Sequence, residues 1–179
     1  MTASQLILAL SAAAVISDLR TGRISNHICA AGFICGFVLH VICAFCAGSC
    51  FPDFIVKMFL TLAVCLAGAA IPFALGYPLF RLRMFGAGDI KLLMAVGWLA
   101  GPAGILKFMA VTCAFGGLIS ALIMVFVTGI RPRVRYFLTY ILTAEMSGAV
   151  LPYRDDPSAE FHFTIPVFMT ALVCAAGFI

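Results

Sequence analysis

Long apolar runs separated by short cationic loops leave this chain one solvent in which to fold. Of its 179 residues, 64% are hydrophobic and 10% charged, with a mean hydropathy of +1.18. Soluble domains carry about 25% charged residues, so the composition excludes a water-soluble fold and implies a lipid bilayer as surroundings. At about 20 residues per span the chain forms an all-α polytopic bundle of about six transmembrane helices. It is a single membrane domain over residues 1–179, with no room for a separate soluble one. The first 17 residues carry no Lys or Arg, which disfavours a cleaved secretory signal and favours a retained first helix.

The expected spans are roughly Ala3–Ser17, His27–Ala47, Phe54–Phe80, Asp89–Ala100, Gly104–Thr128 and Phe161–Ile179. Helix-breaking punctuation separates them at Gly48-Ser49, Phe51-Pro52-Asp53, Gly101-Pro102 and Arg131-Pro132. Between Arg131 and Val150, Phe137, Leu138, Ile141 and Leu142 recur at helical spacing behind three arginines. That pattern favours an amphipathic helix lying on the membrane surface over the alternative of a true span, because Arg135 and Glu145 bracket too short an apolar run.

Cations set the orientation. With the N-terminus outside, Arg20, Arg23, Arg81, Arg83, Lys91, Arg131, Arg133, Arg135 and Arg154 fall on the cytoplasmic side, and Lys57 and Lys107 fall outside. Cytoplasmic loops of membrane proteins collect Lys and Arg in this way. The net charge of +4 therefore reports topology and does not point to nucleic acid. In this frame Asp18 ends an inward-running helix and Asp89 begins an outward-running one, so both lie near the cytoplasmic interface. Asp53 falls on the other side, Asp155, Asp156 and Glu160 form an acidic loop, and Glu145 belongs to the surface helix.

Ionisable groups at membrane depth are costly and are functional candidates by default. Each aspartate also has an ordinary explanation. Asp89 in Gly86-Ala87-Gly88-Asp89 can act at a helix N-terminus, and Asp18 can pair at the surface with Arg20 or Arg23. Their common membrane face favours a shared site. Two carboxylates in a poorly solvated site do not both ionise easily and titrate as a pair. One member can then deprotonate a water while the other polarises a carbonyl. Gly86 and Gly88 lack Cβ and allow close backbone approach. Arg20, Arg23 and Lys91 suit either substrate carboxylates or topology, and topology is the stronger reading. Asn26 suits a cap on the second helix.

Asp18, Arg20 and Ile24-Ser25-Asn26, followed by Gly86-Ala87-Gly88-Asp89-Ile90-Lys91, resemble the two motifs of the prepilin peptidase family, G-x-G-D membrane aspartyl proteases. Ser25 stands where the family usually has proline. The resemblance implies an endopeptidase of the bacterial cytoplasmic (inner) membrane that cuts type IV prepilin or pseudopilin leaders at the cytoplasmic face. It implies Asp18 and Asp89 as catalytic residues, with Gly86, Gly88, Lys91, Arg20 and Asn26 in support. Its implied partners are the precursor peptide, the lipid bilayer and the pilus-assembly machinery. The loop from Asp18 to His27 has no room for the paired C-x-x-C module of larger members. The chain thus resembles the short, peptidase-only branch of tight-adherence (Flp-type) pili, without methyltransferase activity.

No metal or cofactor is expected. The eight cysteines are scattered through apolar stretches and read as small buried hydrophobes, and the lone pair Cys43 and Cys46 falls short of a four-ligand zinc site. His40 reads as a hydrogen-bonded packing residue, Trp98 as an interfacial anchor, and Gly32/Gly36 and Gly97/Gly101 as close-packing positions. The alternative function is a small proton- or cation-coupled transporter component that uses the same aspartates.

Overall fold

The computed structural model describes residues 3–46, 51–81, 85–123, 125–126, 138–139 and 162–177. These form five helices: α1 (Ala3–Thr21), α2 (Asn26–Cys46), α3 (Phe51–Arg81), α4 (Ala87–Ile123) and α5 (Thr164–Ala175). Among the described residues, the regular structure is entirely helical. Four of the helices, α1 to α4, are long and apolar enough to cross a membrane. In hydrocarbon every backbone polar group needs an internal partner, which a helix supplies residue by residue.

The boundaries follow the local chemistry. Gly22, at φ +63°, ends α1, and its amide donates to the Asp18 carbonyl at 2.7 Å. A left-handed glycine is a common way to satisfy the last carbonyls of a helix. The hydroxyls of Ser17 and Thr21 both donate to the Arg23 carbonyl, at 3.1 and 2.9 Å. The turn from α1 to α2 is thereby tied back onto the end of α1. Helix α1 runs four residues beyond the expected Ser17, so Asp18 lies inside its last turn.

Helix α4 takes in both the fourth and the fifth expected spans. Its 37 residues amount to about 55 Å at 1.5 Å per residue, far more than a hydrocarbon core of about 30 Å. The break comes at Gly101, whose φ of 70° and ψ of 178° are non-helical, just before Pro102. Only glycine enters that conformation without strain. The last helix departs from expectation. Residues 164–175 are helical, 12 residues in all, or about 18 Å, short of a full crossing. Its Pro166 sits in the first turn, where the missing N–H costs no helical bond. The expected surface helix over 131–150 lies outside the described residues, except for 138–139.

Helix α4 is central and touches the other four. The core gathers Ile7, Leu10 and Ala14 of α1, Leu92, Ala95, Val96, Ile105 and Phe108 of α4, and Val167 and Ala171 of α5. Thr112 donates to Thr170 at 3.0 Å, and Thr170 donates to the Pro166 carbonyl at 2.9 Å. This buried polar thread fastens α5 to the second half of α4.

The small-residue positions pack as their spacing predicts. A Cβ on Gly97 or Gly68 would collide with the backbone of the other, and one on Gly36 would lie 2.7 Å from Trp98 Cδ1. His40 Nδ1 lies 2.6 Å from the Gly36 carbonyl, as a packing histidine should. Trp98 packs in the seam between α2 and α4, with its ring meeting Phe33 edge-on at 5.7 Å and its indole N–H buried with no hydrogen-bond partner among the described residues. Outward from the bundle, Phe45, Val56, Phe59, Leu60 and Leu118 are exposed, an apolar surface for lipid to cover.

Candidate active site at the helix ends

Several helix ends meet at one end of the bundle: the last turn of α1 and the first turns of α2, α4 and α5. Asp18 arrives on α1 and is 9% exposed despite its charge. A buried carboxylate needs hydrogen-bond donors, and they come from the far end of the sequence. Thr164 Oγ1 donates to Asp18 Oδ2 at 2.7 Å, and His162 Nδ1 lies 3.1 Å from the same oxygen. Among the described residues, no ion pair joins Asp18 to Arg20 or Arg23. Arg20 is exposed, in the last turn of α1. The simple surface pairing that could have explained Asp18 is therefore absent among these residues.

Asp89 occupies the third position of α4 and accepts a hydrogen bond from the backbone amide of Gly86. An acidic side chain reaching back to the residue before the helix satisfies an orphan donor at the positive end of the helix dipole. The two glycines of the motif make this arrangement possible for separate reasons. A Cβ on Gly86 would sit 2.9 Å from Asp89 Oδ2, inside the space that the carboxylate occupies. A Cβ on Gly88 would lie 3.2 Å from Ile24 Cβ, crowding the turn that follows Asp18. Gly88 and Ile24 thus bring the two motifs together. The Asp18 charge acts on Asp89, so the two carboxylates share an electrostatic environment.

Two supporting residues are partners of each other. Lys91 Nζ donates to Asn26 Oδ1 at 2.9 Å, which ties the first turn of α4 to the first residue of α2. Phe85, just before Gly86, meets Phe163 edge-on with ring centroids 4.6 Å apart. The approach to α4 is thereby fixed against the approach to α5.

Sequence reasoning missed His162 and Thr164. The signal was a histidine and a hydroxyl, two residues apart, opening an otherwise apolar segment at the expected depth of Asp18. Loops and helix starts that line a polar site carry such groups more often than lipid-facing positions do.

Comparison with known proteins agrees with the residue pattern. The sequence model of the type IV leader peptidase family matches residues 5–121. This stretch is more than half of the chain and contains Asp18, Asn26 and Gly86 to Lys91. No curated protein matched, and no solved structure matched. Four long apolar helices and this match make the chain a membrane protein of the leader-peptidase type, and they give no support to a transporter. The chain belongs to the type IV leader peptidase family.

Proposed function

We propose that the protein is an aspartyl endopeptidase that cuts type IV prepilin or pseudopilin precursors at the cytoplasmic face of the bacterial inner membrane. The observation that carries this reading is the meeting of the two family motifs at one end of the bundle. Asp18 is buried there, and its charge acts on Asp89. The proposed bundle has six spans with the N-terminus outside, which makes the cation-rich end of Arg20, Arg23, Arg81 and Lys91 cytoplasmic.

The chemistry needs only the two carboxyl groups and a water. The ionised aspartate takes a proton from the water as its oxygen bonds to the scissile carbonyl carbon. The protonated aspartate donates to the carbonyl oxygen and stabilises the tetrahedral intermediate. On collapse the C–N bond breaks, and the leaving nitrogen takes up a proton from the pair. Each carboxyl group then returns to its starting state. A leader that is basic before the cut and apolar after it suits an active site at a helix end beside the membrane surface. The peptidase works without methyltransferase activity.

The test is cleavage of a prepilin by the full-length protein in lipid nanodiscs, with the product mapped by mass spectrometry. A single cut between the basic leader and the apolar helix is expected. Uncut precursor, or a cut inside the apolar helix, contradicts the proposal.

A further inference from the structure

We propose that the start of α5 is part of the catalytic apparatus, with Thr164 and His162 as positioning residues that hold Asp18. This rests on the reading of Asp18 as a catalytic carboxylate. It extends that reading to residues beyond 5–121, the stretch that the family match covers.

Thr164 is fully buried, with no exposed surface. A buried hydroxyl is unfavourable unless it is hydrogen-bonded, and valine would fill the same volume without that cost. The Thr164 hydroxyl spends its bond on Asp18 Oδ2, at 2.7 Å, and leaves its own helix without a side-chain cap: Phe163, at the N-cap, makes none. His162 brings a second nitrogen to within 3.1 Å of that oxygen. Two donors on Oδ2 fix the rotation of the carboxylate about its last bond.

The clamp is itself anchored. Thr170, less than two turns along α5, is bonded to Thr112 of α4, and Phe163 is packed on Phe85. Helix α5 therefore holds Asp18 in a fixed relation to the helix that carries Asp89. Pre-organisation of this kind matters because small errors in the placement of a catalytic group are expensive in rate. The half-buried His162 ring adds a donor whose partner is already set, so it restrains Asp18 without having to touch the peptide.

The test compares Thr164→Val, Thr164→Ser, His162→Leu and His162→Asn in the full-length protein, measuring kcat and KM for a prepilin and thermal unfolding in detergent. Thr164→Val is expected to lower kcat about 10- to 100-fold with KM little changed, and to lower the melting temperature because the buried Asp18 carboxylate loses a donor. Thr164→Ser recovers most of the lost kcat. His162→Leu lowers kcat by a smaller factor, and His162→Asn, which keeps a donor, restores part of it. Should Thr164→Val fail to fold, the His162 pair decides. Wild-type kcat in His162→Leu and in any folded Thr164→Val overturns the clamp. Asp18→Asn, run alongside, separates the two proposals: if it is inactive while the α5 variants are fully active, the clamp fails and the role of Asp18 stands. If it is fully active, the catalytic reading itself fails.

Discussion

Glycine 86 has no side chain because the space where one would go belongs to the carboxylate of Asp89. The 2.9 Å between an added Cβ and Asp89 Oδ2 is too short for the carboxylate to stay where it is. Its bond to the Gly86 amide would be lost or displaced. Gly86→Ala is therefore expected to lower kcat on the order of 100-fold, the scale of a misplaced catalytic group, while the protein remains folded and inserted. Cleavage kinetics beside a thermal melt check this. The same residue marks what sequence could and could not tell. Gly86, Gly88 and Asp89 were legible because a carboxylate at membrane depth is rare and the glycines flank it. His162 and Thr164 were not, because a threonine or histidine in an apolar segment is ordinary until its partner is known. That partner lies 144 and 146 residues away in sequence.

At the scale of helices, small residues decide which pairs approach closely. Gly68 and Gly97 face each other across the α3–α4 seam with their backbones almost touching, and backbone atoms cannot yield to an added methyl. Gly97→Ala is expected to destabilise the protein by about 1–3 kcal/mol, the usual cost of overpacking. Unfolding in detergent measures this, and wild-type stability would contradict the packing. Gly36→Ala should cost less, because its clash is with the Trp98 ring, a side chain that can move. Most of the element boundaries were readable from apolar runs and breakers. Those lost were of three kinds, the first being the fourth and fifth expected spans, which run as one helix, α4, broken only at Gly101. Asp18 proved to lie within α1 because a left-handed glycine, not the aspartate, ends that helix. The last helix proved shorter than its apolar run, since hydropathy reports solubility in lipid and not where the helical bonds stop.

For the molecule as a whole, a basic leader on the cytoplasmic side reaches the site only if the bundle turns this end toward it. The end that holds Asp18, Asn26, Asp89 and Lys91 is also the end rich in arginine, and such loops stay on the cytoplasmic side. In a cysteine-free background, Ser25→Cys should resist a membrane-impermeant thiol reagent in intact cells and react once the cells are opened. Labelling in intact cells would invert the topology and put the site on the wrong side for a basic leader. The general architecture, an α-helical membrane bundle, followed from composition alone. The convergence of helix ends did not, because it depends on α5 packing between α1 and α4 through contacts such as Thr112 to Thr170 that no local pattern announces.

In the proposed mechanism Asp18 and Asp89 act together on one peptide bond. Asp18→Asn and Asp89→Asn replace a carboxyl group by a neutral amide of nearly the same size, so each should insert and fold as the wild type does. Co-expression of each variant with a prepilin, followed by gel mobility of the precursor, reads the consequence directly. Both variants are expected to leave the precursor at its uncut mobility, each losing essentially all cleavage. Full processing by either one would contradict the account.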